Sequence, residues 1–141
     1  MRTSIVLDTS VLIAGLRSAQ GASHQLLRRL GGADFKVSVS VPLVLEYEAV
    51  AKRQARELGL TFADVDDVID YICSVADHHT IFYLWRPFLP DPTDDLLLEL
   101  AVEAGAGYIV THNLRDFTGV SRFGISAISP GEFLRLLEVD T

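Results

Sequence analysis

Short apolar segments that each stop at a polar residue are the feature that most restricts the fold of this chain. Ser4–Leu7 is apolar and β-branched and ends at Asp8, which is typical of a strand buried on both faces. Phe35–Val39 alternates apolar and polar residues, and Tyr108–Thr111 is again apolar and β-branched. Segments of helical character separate these strands. The alternation therefore predicts parallel strands that are connected by helices.

Capping residues, prolines and glycines mark the ends of the predicted helices. These helices are Ser10–Leu16, Ser23–Leu30 with Ser23 as its cap, Pro42–Leu58, Thr61 to about Asp77, Asp91–Ala104, and one that begins after Ser129. Two further strands are predicted at Thr80–Trp85 and, at an edge of the sheet, at Ile125–Ile128. The predicted fold is a three-layer α/β/α sandwich with a central parallel sheet of four to five strands, in a single domain over residues 1–141.

Composition excludes several classes of protein. Apolar residues make up 49% of the chain, which excludes general disorder. Only 22% of the residues are charged, below the usual value of about 25%, and this favours a buried interface such as that of a homodimer. The apolar run Ile5–Leu7 is too short for a signal peptide or a membrane span, so we expect a cytoplasmic protein. Cys73 is the only cysteine, which excludes an internal disulfide and a cysteine zinc site.

The charge balance disfavours a protein that binds nucleic acid through bulk electrostatics. There are 19 acidic and 12 basic residues, giving a formal net charge of −7, whereas such binders are usually basic. An enzyme that uses cations to bridge its acids to phosphate remains compatible with this charge. Most of the basic residues are arginine, which can bind phosphate through two parallel hydrogen bonds.

Polar residues follow the predicted strands at the edge where parallel sheets bind ligands. Asp8 follows the first strand, Ser40 the second, and Thr111 to Asn113 close the fourth. Asp8 is equally consistent with a helix cap and with a functional carboxylate, since Ser10 can also serve as the cap.

Helical geometry separates two glutamates on the Pro42 helix. At about 100° per residue, Glu46 lies about 40° from Val50 and borders the apolar stripe that includes Leu43 and Val50. Glu48 points about 140° away from Leu43, toward solvent. Glu46 is therefore the inward acid, although a role as the partner of a neighbouring arginine is the simpler interpretation of it.

The same geometry separates the acids of the Asp91 helix. Asp94 lies about 20° from Ala101 on the inner face, whereas Asp95 lies about 120° from it. Glu99 is also predicted to face outward, as is Glu103. A purely structural role for Asp94 is possible, because an acid in the first helical turn interacts favourably with the helix dipole.

Three inward acids at one sheet edge require a compensating charge. Two carboxylates at about 4 Å repel by about 4 kcal/mol at an effective dielectric constant of 20. A cation or proton uptake relieves this repulsion. Oxygen ligands suit Mg²⁺ or Mn²⁺, and carboxylate-held metal ions commonly hydrolyse phosphodiesters.

Four motifs, in this order, resemble the PIN-domain nucleases, and in particular the toxin branch of bacterial toxin–antitoxin pairs. The motifs are Val-Leu-Asp8-Thr-Ser-Val-Leu-Ile, Val-Pro-Leu-Val-Leu-Glu46-Tyr, Asp91-Pro-Thr-Asp94-Asp-Leu-Leu-Leu and Tyr-Ile-Val-Thr111-His-Asn113-Leu-Arg-Asp116-Phe. The resemblance implies a divalent metal (Mg²⁺ or Mn²⁺), endoribonuclease activity on an RNA substrate, an antitoxin protein as partner and often a homodimer. By position, Asp8, Glu46 and Asp94 match the three principal acids of the family.

The sequence departs from the family at the fourth acid. Asn113 occupies that position, with Asp116 three residues later, so one or two metal ions are both compatible with the sequence. We expect Asn113 and Asp116 to assist metal binding, although both residue types are also common in turns. A catalytically weak or inactive PIN-like module that binds RNA or a partner is the alternative interpretation.

Hydroxyl groups and arginines near these acids are further candidates for contact with the substrate. Hydroxyl groups expected to contact the phosphate or a metal-bound water are those of Thr9, Ser10 and Thr111. Candidate RNA contacts are Arg53, Arg56, Arg115 and Arg122, although each is also consistent with an ordinary solvated arginine. His112 lies near the site and is interpreted as a loop residue. Trp85, Phe88 and Leu89 are candidates for an interface or, equally, for the core.

Overall fold

The computed structural model describes residues 3–81 and 88–139. Within these ranges the sheet has five strands in the order β3-β2-β1-β4-β5, and every neighbouring pair is parallel. The strands are β1 (Thr3–Leu7), β2 (Phe35–Val39), β3 (Asp77–His78), β4 (Tyr108–Val110) and β5 (Ser126–Ile128). The helices are α1 (Thr9–Arg17), α2 (Ala22–Arg28), α3 (Val41–Arg53), α4 (Ala55–Leu58), α5 (Phe62–Val75), α6 (Pro92–Ala104) and α7 (Pro130–Val139). The predicted α/β/α sandwich with a parallel sheet is confirmed.

The central strand β1 is buried on both faces, as its sequence predicts. Ile5, Val6 and Leu7 are at most 1% exposed. Strand β1 pairs with β2 on one side and β4 on the other, and α6 packs across all three strands. This packing fixes the carboxyl end of β1 next to that of β4, where Leu7 aligns with Val110.

Several predicted helix ends are confirmed. Thr61 and Asp64 form a reciprocal capping box at the start of α5. Asp91 caps α6 by accepting a hydrogen bond from the N–H of Thr93 at 2.9 Å. Gly105 ends α6 with a φ of 64°, a conformation that favours glycine.

None of the helices in residues 3–81 and 88–139 has both the length and the apolar content needed to cross a bilayer.

Two predictions about helices were wrong. Ser23 does not cap α2, because the helix begins one residue earlier, after Gly21, and the buried Ser23 hydroxyl is hydrogen-bonded to the His112 ring instead. The Pro42 helix is not continuous to Leu58, since α3 ends at Arg53 and α4 begins after Gln54.

The third strand was also misplaced. The structure places β3 at Asp77–His78, where it pairs with the end of β2, and Thr80 and Ile81 are not in a strand. The remainder of the predicted strand Thr80–Trp85 lies outside the described residues. Both residues of β3 are exposed at the sheet edge, so they carry none of the apolar signal by which a buried strand is recognised.

Candidate active site

The Asp8 carboxylate is held by two hydroxyl groups at the carboxyl end of β1. The backbone N–H of Asp8 donates to the carbonyl of Val110 at 2.9 Å. Its Oδ2 accepts hydrogen bonds from Ser10 Oγ at 2.9 Å and from Thr111 Oγ1 at 2.7 Å. The carboxylate does not cap α1, and its Oδ1 accepts no hydrogen bond from the described residues. Asp8 is therefore fixed in orientation with one oxygen available to a ligand.

The hydroxyl groups near Asp8 hold this carboxylate in place. Thr111 is fully buried and also accepts a hydrogen bond from the N–H of Asn113 at 2.9 Å, so its hydroxyl group joins Asp8 to the loop after β4. The hydroxyl group of Ser10 donates a hydrogen bond to Asp8 and accepts one from the backbone N–H of His112 at 3.2 Å. Both residues position Asp8. Thr9, in contrast, lines an adjacent cleft.

Asp94 is the second buried carboxylate of the site and carries an unfavourable charge. It lies in the first turn of α6 and is 8% exposed. Burial, followed by the negative charges of Asp8, Asp91, Asp116 and Asp95, raises the pKa of Asp94 to about 7. The fold thus places the carboxylate after β1 and the one in the loop after β4 within electrostatic reach of Asp94.

The helical geometry predicted that the neighbouring Asp95 faces solvent, and this prediction was wrong. Asp95 is 8% exposed, and its Oδ1 accepts hydrogen bonds from the N–H groups of Phe88 at 3.3 Å and Leu89 at 2.9 Å. Glu99 is also buried rather than exposed. The prediction treated α6 as covered on one face only, whereas the segment before α6 folds back onto a second face. Asp95 is accordingly a structural carboxylate.

Glu46 lines a cleft between α1 and α3 beside Asp8. The hydroxyl group of the adjacent Tyr47 donates to the carbonyl of Leu7 at 2.6 Å and ties α3 to the end of β1. Burial, followed by the charge of Asp8, raises the pKa of Tyr47, which keeps this hydroxyl protonated. The cleft has a volume of about 460 Å³, and Glu46 shares it with Thr9, Ser10 and His112.

The structure supports the distinction between the two glutamates but does not join Glu46 to the other acids. Glu48 points away from the cleft and pairs with Lys52 at 3.4 Å. Glu46 is not among the charges that raise the pKa of Asp94. Its position favours contact with a ligand that extends from Asp8 into the cleft.

The loop after β4 forms a second cleft of about 400 Å³. Asn113, Arg115 and Asp116 line it, and all three are exposed. Asp116 acts electrostatically on Asp94, which connects this loop to the buried acids. His112 lines both clefts, and its Nε2 shares a hydrogen bond of 2.7 Å with Ser23 Oγ. His112 is thus anchored to α2, which its interpretation as a loop residue did not anticipate.

The remaining predicted RNA contacts do not line either of the two clefts. Arg53 and Arg56 are exposed, and neither lines the two clefts. Arg122 lies over the ring of Phe88 at 5.5 Å from its centroid. Arg17 and Gln54, for which the sequence predicts no role, line the cleft that contains Glu46. Arg17 ends α1 and Gln54 lies between α3 and α4, 37 positions away, so no local pattern signals their approach.

The donor set suits an oxygen-preferring cation held in part by water. In residues 3–81 and 88–139, no three His, Cys, Asp or Glu side chains form a ready-made ligand group. No ion pair joins Asp8, Glu46, Asp94 or Asp116 to a described basic residue. Mg²⁺ commonly binds one or two carboxylates and keeps several waters, so carboxylates that lack a basic partner fit this type of ion.

Sequence comparison identifies the family. A sequence model described as the PIN domain matches residues 4–115. This chain belongs to the PIN domain family. No curated protein matches its sequence.

Two solved structures have a fold similar to this PIN domain. One is VapBC2 from Rickettsia felis bound to a DNA fragment from their promoter, with a TM-score of 0.63 and 12% sequence identity over 90% of this chain and 98% of that one. The other is DNA-bound VapBC from Salmonella typhimurium, with a TM-score of 0.62 and 16% identity over 92% of this chain and 99% of that one.

Proposed function

We propose that this PIN domain is a metal-dependent endoribonuclease and the toxin of a toxin–antitoxin pair. The grouping of Asp8, Asp94 and Asp116 carries this proposal. Burial, followed by charges that include those of Asp8 and Asp116, raises the pKa of Asp94, and none of the three carboxylates has a basic partner among the described residues. Such an arrangement is costly to folding and is useful mainly for binding a cation. The four motifs of this chain occur in the same order as in the PIN-domain nucleases, and this resemblance supports RNA as the substrate.

Asp8 and Asp94 would hold Mg²⁺ or Mn²⁺, with Glu46, Asn113 and Asp116 acting directly or through water. The bound ion would supply a hydroxide nucleophile at neutral pH and stabilise the negative charge that develops on the phosphate. Ser10 and Thr111 both donate to Asp8 Oδ2, which leaves Oδ1 available to the cation. The chain needs no covalent nucleophile for this reaction.

The matched pair Glu46→Gln and Glu48→Gln tests this assignment. Each substitution removes one charge from the same helix, but only Glu46 lines the cleft beside Asp8. We expect Glu46→Gln to lower Mn²⁺-dependent cleavage of single-stranded RNA by about 10- to 100-fold, as for other residues that support a metal site. Glu48→Gln should cleave at the rate of the wild type. Equal rates for both variants would exclude Glu46 from the site.

The main alternative is a PIN-like module that binds RNA or a partner without cleaving it. Asn113 in place of an acid and the absence of a three-residue ligand group in the described chain favour this alternative. The two functions differ in their response to divalent metal, because a catalytic carboxylate cluster is stabilised by the ion that it binds.

An antitoxin partner and a homodimer are part of the same proposal. The similar solved structures are VapBC assemblies, which supports a protein partner. Of the predicted interface residues, Leu89 is buried in the core, Phe88 is half-buried and packs against Phe123, and Trp85 lies outside the described residues. Exposed apolar surface lies instead on α3, at Val41 and Leu45.

The homodimer can be tested at this surface of α3. If Val41 and Leu45 form the interface, Leu45→Lys will convert a dimer into a monomer in sedimentation equilibrium, since a buried lysine charge is costly. Leu136→Lys is the matched control, because Leu136 is an exposed leucine on α7. Dissociation by Leu136→Lys alone would place the interface elsewhere.

A further inference from the structure

The cleft that contains Glu46 extends well beyond the carboxylates. Both α1 and α3 begin at the carboxyl edge of the sheet, after β1 and β2 respectively. Arg17 is eight residues beyond Thr9 on α1, and Gln54, the residue that follows α3, is eight residues beyond Glu46, so each lies about 12 Å from the acid end. Arg17 Nη2 donates to Gln54 Oε1 at 3.0 Å and links the two helices at the far end of the cleft.

The walls between these two ends are apolar. Ile13 and Ala14 line the cleft from α1, and Val50 lines it from α3. An apolar cleft with a few polar groups that fix the orientation of the ligand is typical of a site for a small molecule. Nucleobases bind in this way, with their faces against apolar or aromatic side chains and their edges hydrogen-bonded to polar groups.

The far end of the cleft offers hydrogen-bond donors. Arg17 is exposed and forms no ion pair with the described acids, which is notable in a chain with a net charge of −7. Its bond to Gln54 uses the amide oxygen, so the amide N–H₂ group of Gln54 still has donors for a ligand. Together the two side chains present donors to a base edge that carries acceptors, such as O6 and N7 of guanine.

We propose that this cleft is a nucleobase subsite for the RNA nucleotide next to the scissile phosphate, with Arg17 and Gln54 as its specificity-determining residues. The inference rests on the proposed nuclease function. Continuity with Asp8 and Glu46 favours RNA over a partner's peptide, because a substrate whose phosphate lies at the carboxylates must place its adjoining nucleoside in a neighbouring cavity. The ligand class is single-stranded RNA with a base that accepts hydrogen bonds at its exposed edge.

Binding is measured with a short fluorescein-labelled single-stranded RNA of randomised sequence, in EDTA and at low salt, by fluorescence anisotropy. The variants Arg17→Ala and Gln54→Ala remove the donors, and Ala14→Leu fills the cleft while leaving every polar group in place. We expect Arg17→Ala and Ala14→Leu each to weaken binding by about tenfold. Arg135→Ala is the matched control for charge, because Arg135 pairs with Glu132 on α7 and should bind RNA as the wild type does. Circular dichroism verifies that each variant is folded.

Cleavage provides the second measurement. Sequencing the products of a randomised RNA after incubation with Mn²⁺ should show a base preference beside the cut that Arg17→Ala and Gln54→Ala reduce while cleavage continues. Unchanged RNA affinity and base preference in all three cleft variants would overturn the subsite and assign the cleft to another ligand, such as a partner's peptide. A wild type that binds RNA through the cleft and never cleaves it would overturn the nuclease function and retain the subsite.

Discussion

Replacing Asp8 or Asp94 by asparagine is expected to reduce metal-dependent RNA cleavage at least about 1,000-fold, a loss of about 4 kcal/mol of transition-state stabilisation. Each substitution keeps the size and polarity of the side chain but removes the charge that would bind the cation. Asp8→Asn retains an oxygen that can accept from Ser10 and Thr111, so the local hydrogen bonds of the site are preserved. Cleavage of a labelled RNA is followed with Mn²⁺ and Mg²⁺ in excess.

The control for this prediction is the residue next to Asp94. Asp95→Asn also neutralises a buried carboxylate of α6, yet an asparagine oxygen can still accept from the N–H groups of Phe88 and Leu89. Asp95→Asn should therefore cleave RNA at a rate within a few fold of the wild type. Undiminished metal-dependent activity in a purified double variant, Asp8→Asn with Asp94→Asn, would refute the assignment of the site.

The sequence predicted the framework of the site because that framework depends on strand ends. Asp8 follows a short apolar run, and Thr111 follows another, so parallel pairing of β1 and β4 suffices to bring them together. Helical periodicity then identified Glu46 rather than Glu48 as the residue that faces the cleft. These inferences use local sequence and one topological rule, and both are strong in a parallel sheet.

Features that depend on contacts between distant helices were missed. Periodicity gave the correct side for Asp94 but the wrong one for Asp95, because it does not show that a preceding segment covers a second face of the helix. The hydrogen bond between Ser23 and His112 joins residues 89 positions apart. The approach of Arg17 to Gln54 likewise depends on how α1 and α3 pack. No pattern along the chain reports such packing.

The raised pKa of Asp94 predicts an unusual dependence of stability on pH. The pKa is about 7 in the folded protein and about 3.8 when the group is not perturbed. Between these values the folded state binds more protons than the unfolded state, so this group makes the free energy of unfolding fall as pH rises. The difference in pKa corresponds to at most about 4 kcal/mol, fully expressed above pH 7.

Asp94→Asn should therefore stabilise the metal-free protein at pH 8 and have a much smaller effect at pH 4.5, where the unfolded carboxyl group is only beginning to gain protons. The wild type and the variant are compared by urea unfolding in EDTA at both pH values, and other titrating groups cancel in the difference. We expect the variant to be more stable at pH 8 by roughly 1–4 kcal/mol, since this is the part of the penalty that neutralisation removes. If the two proteins differed by the same free energy of unfolding at both pH values, the charge of Asp94 would not be destabilised by its surroundings.

Adding Mn²⁺ at pH 8 should reverse this ranking. A cation that binds the folded wild type at a concentration about 1,000 times its dissociation constant stabilises it by about 4.1 kcal/mol, enough to offset the lead of the variant, whereas Asp94→Asn has lost a ligand and should gain much less. Asp34→Asn is the control, because Asp34 pairs with Arg29 at the surface and its loss should leave the metal response unchanged. A wild type that Mn²⁺ does not stabilise would favour the non-catalytic module, since its carboxylates would then serve the fold alone.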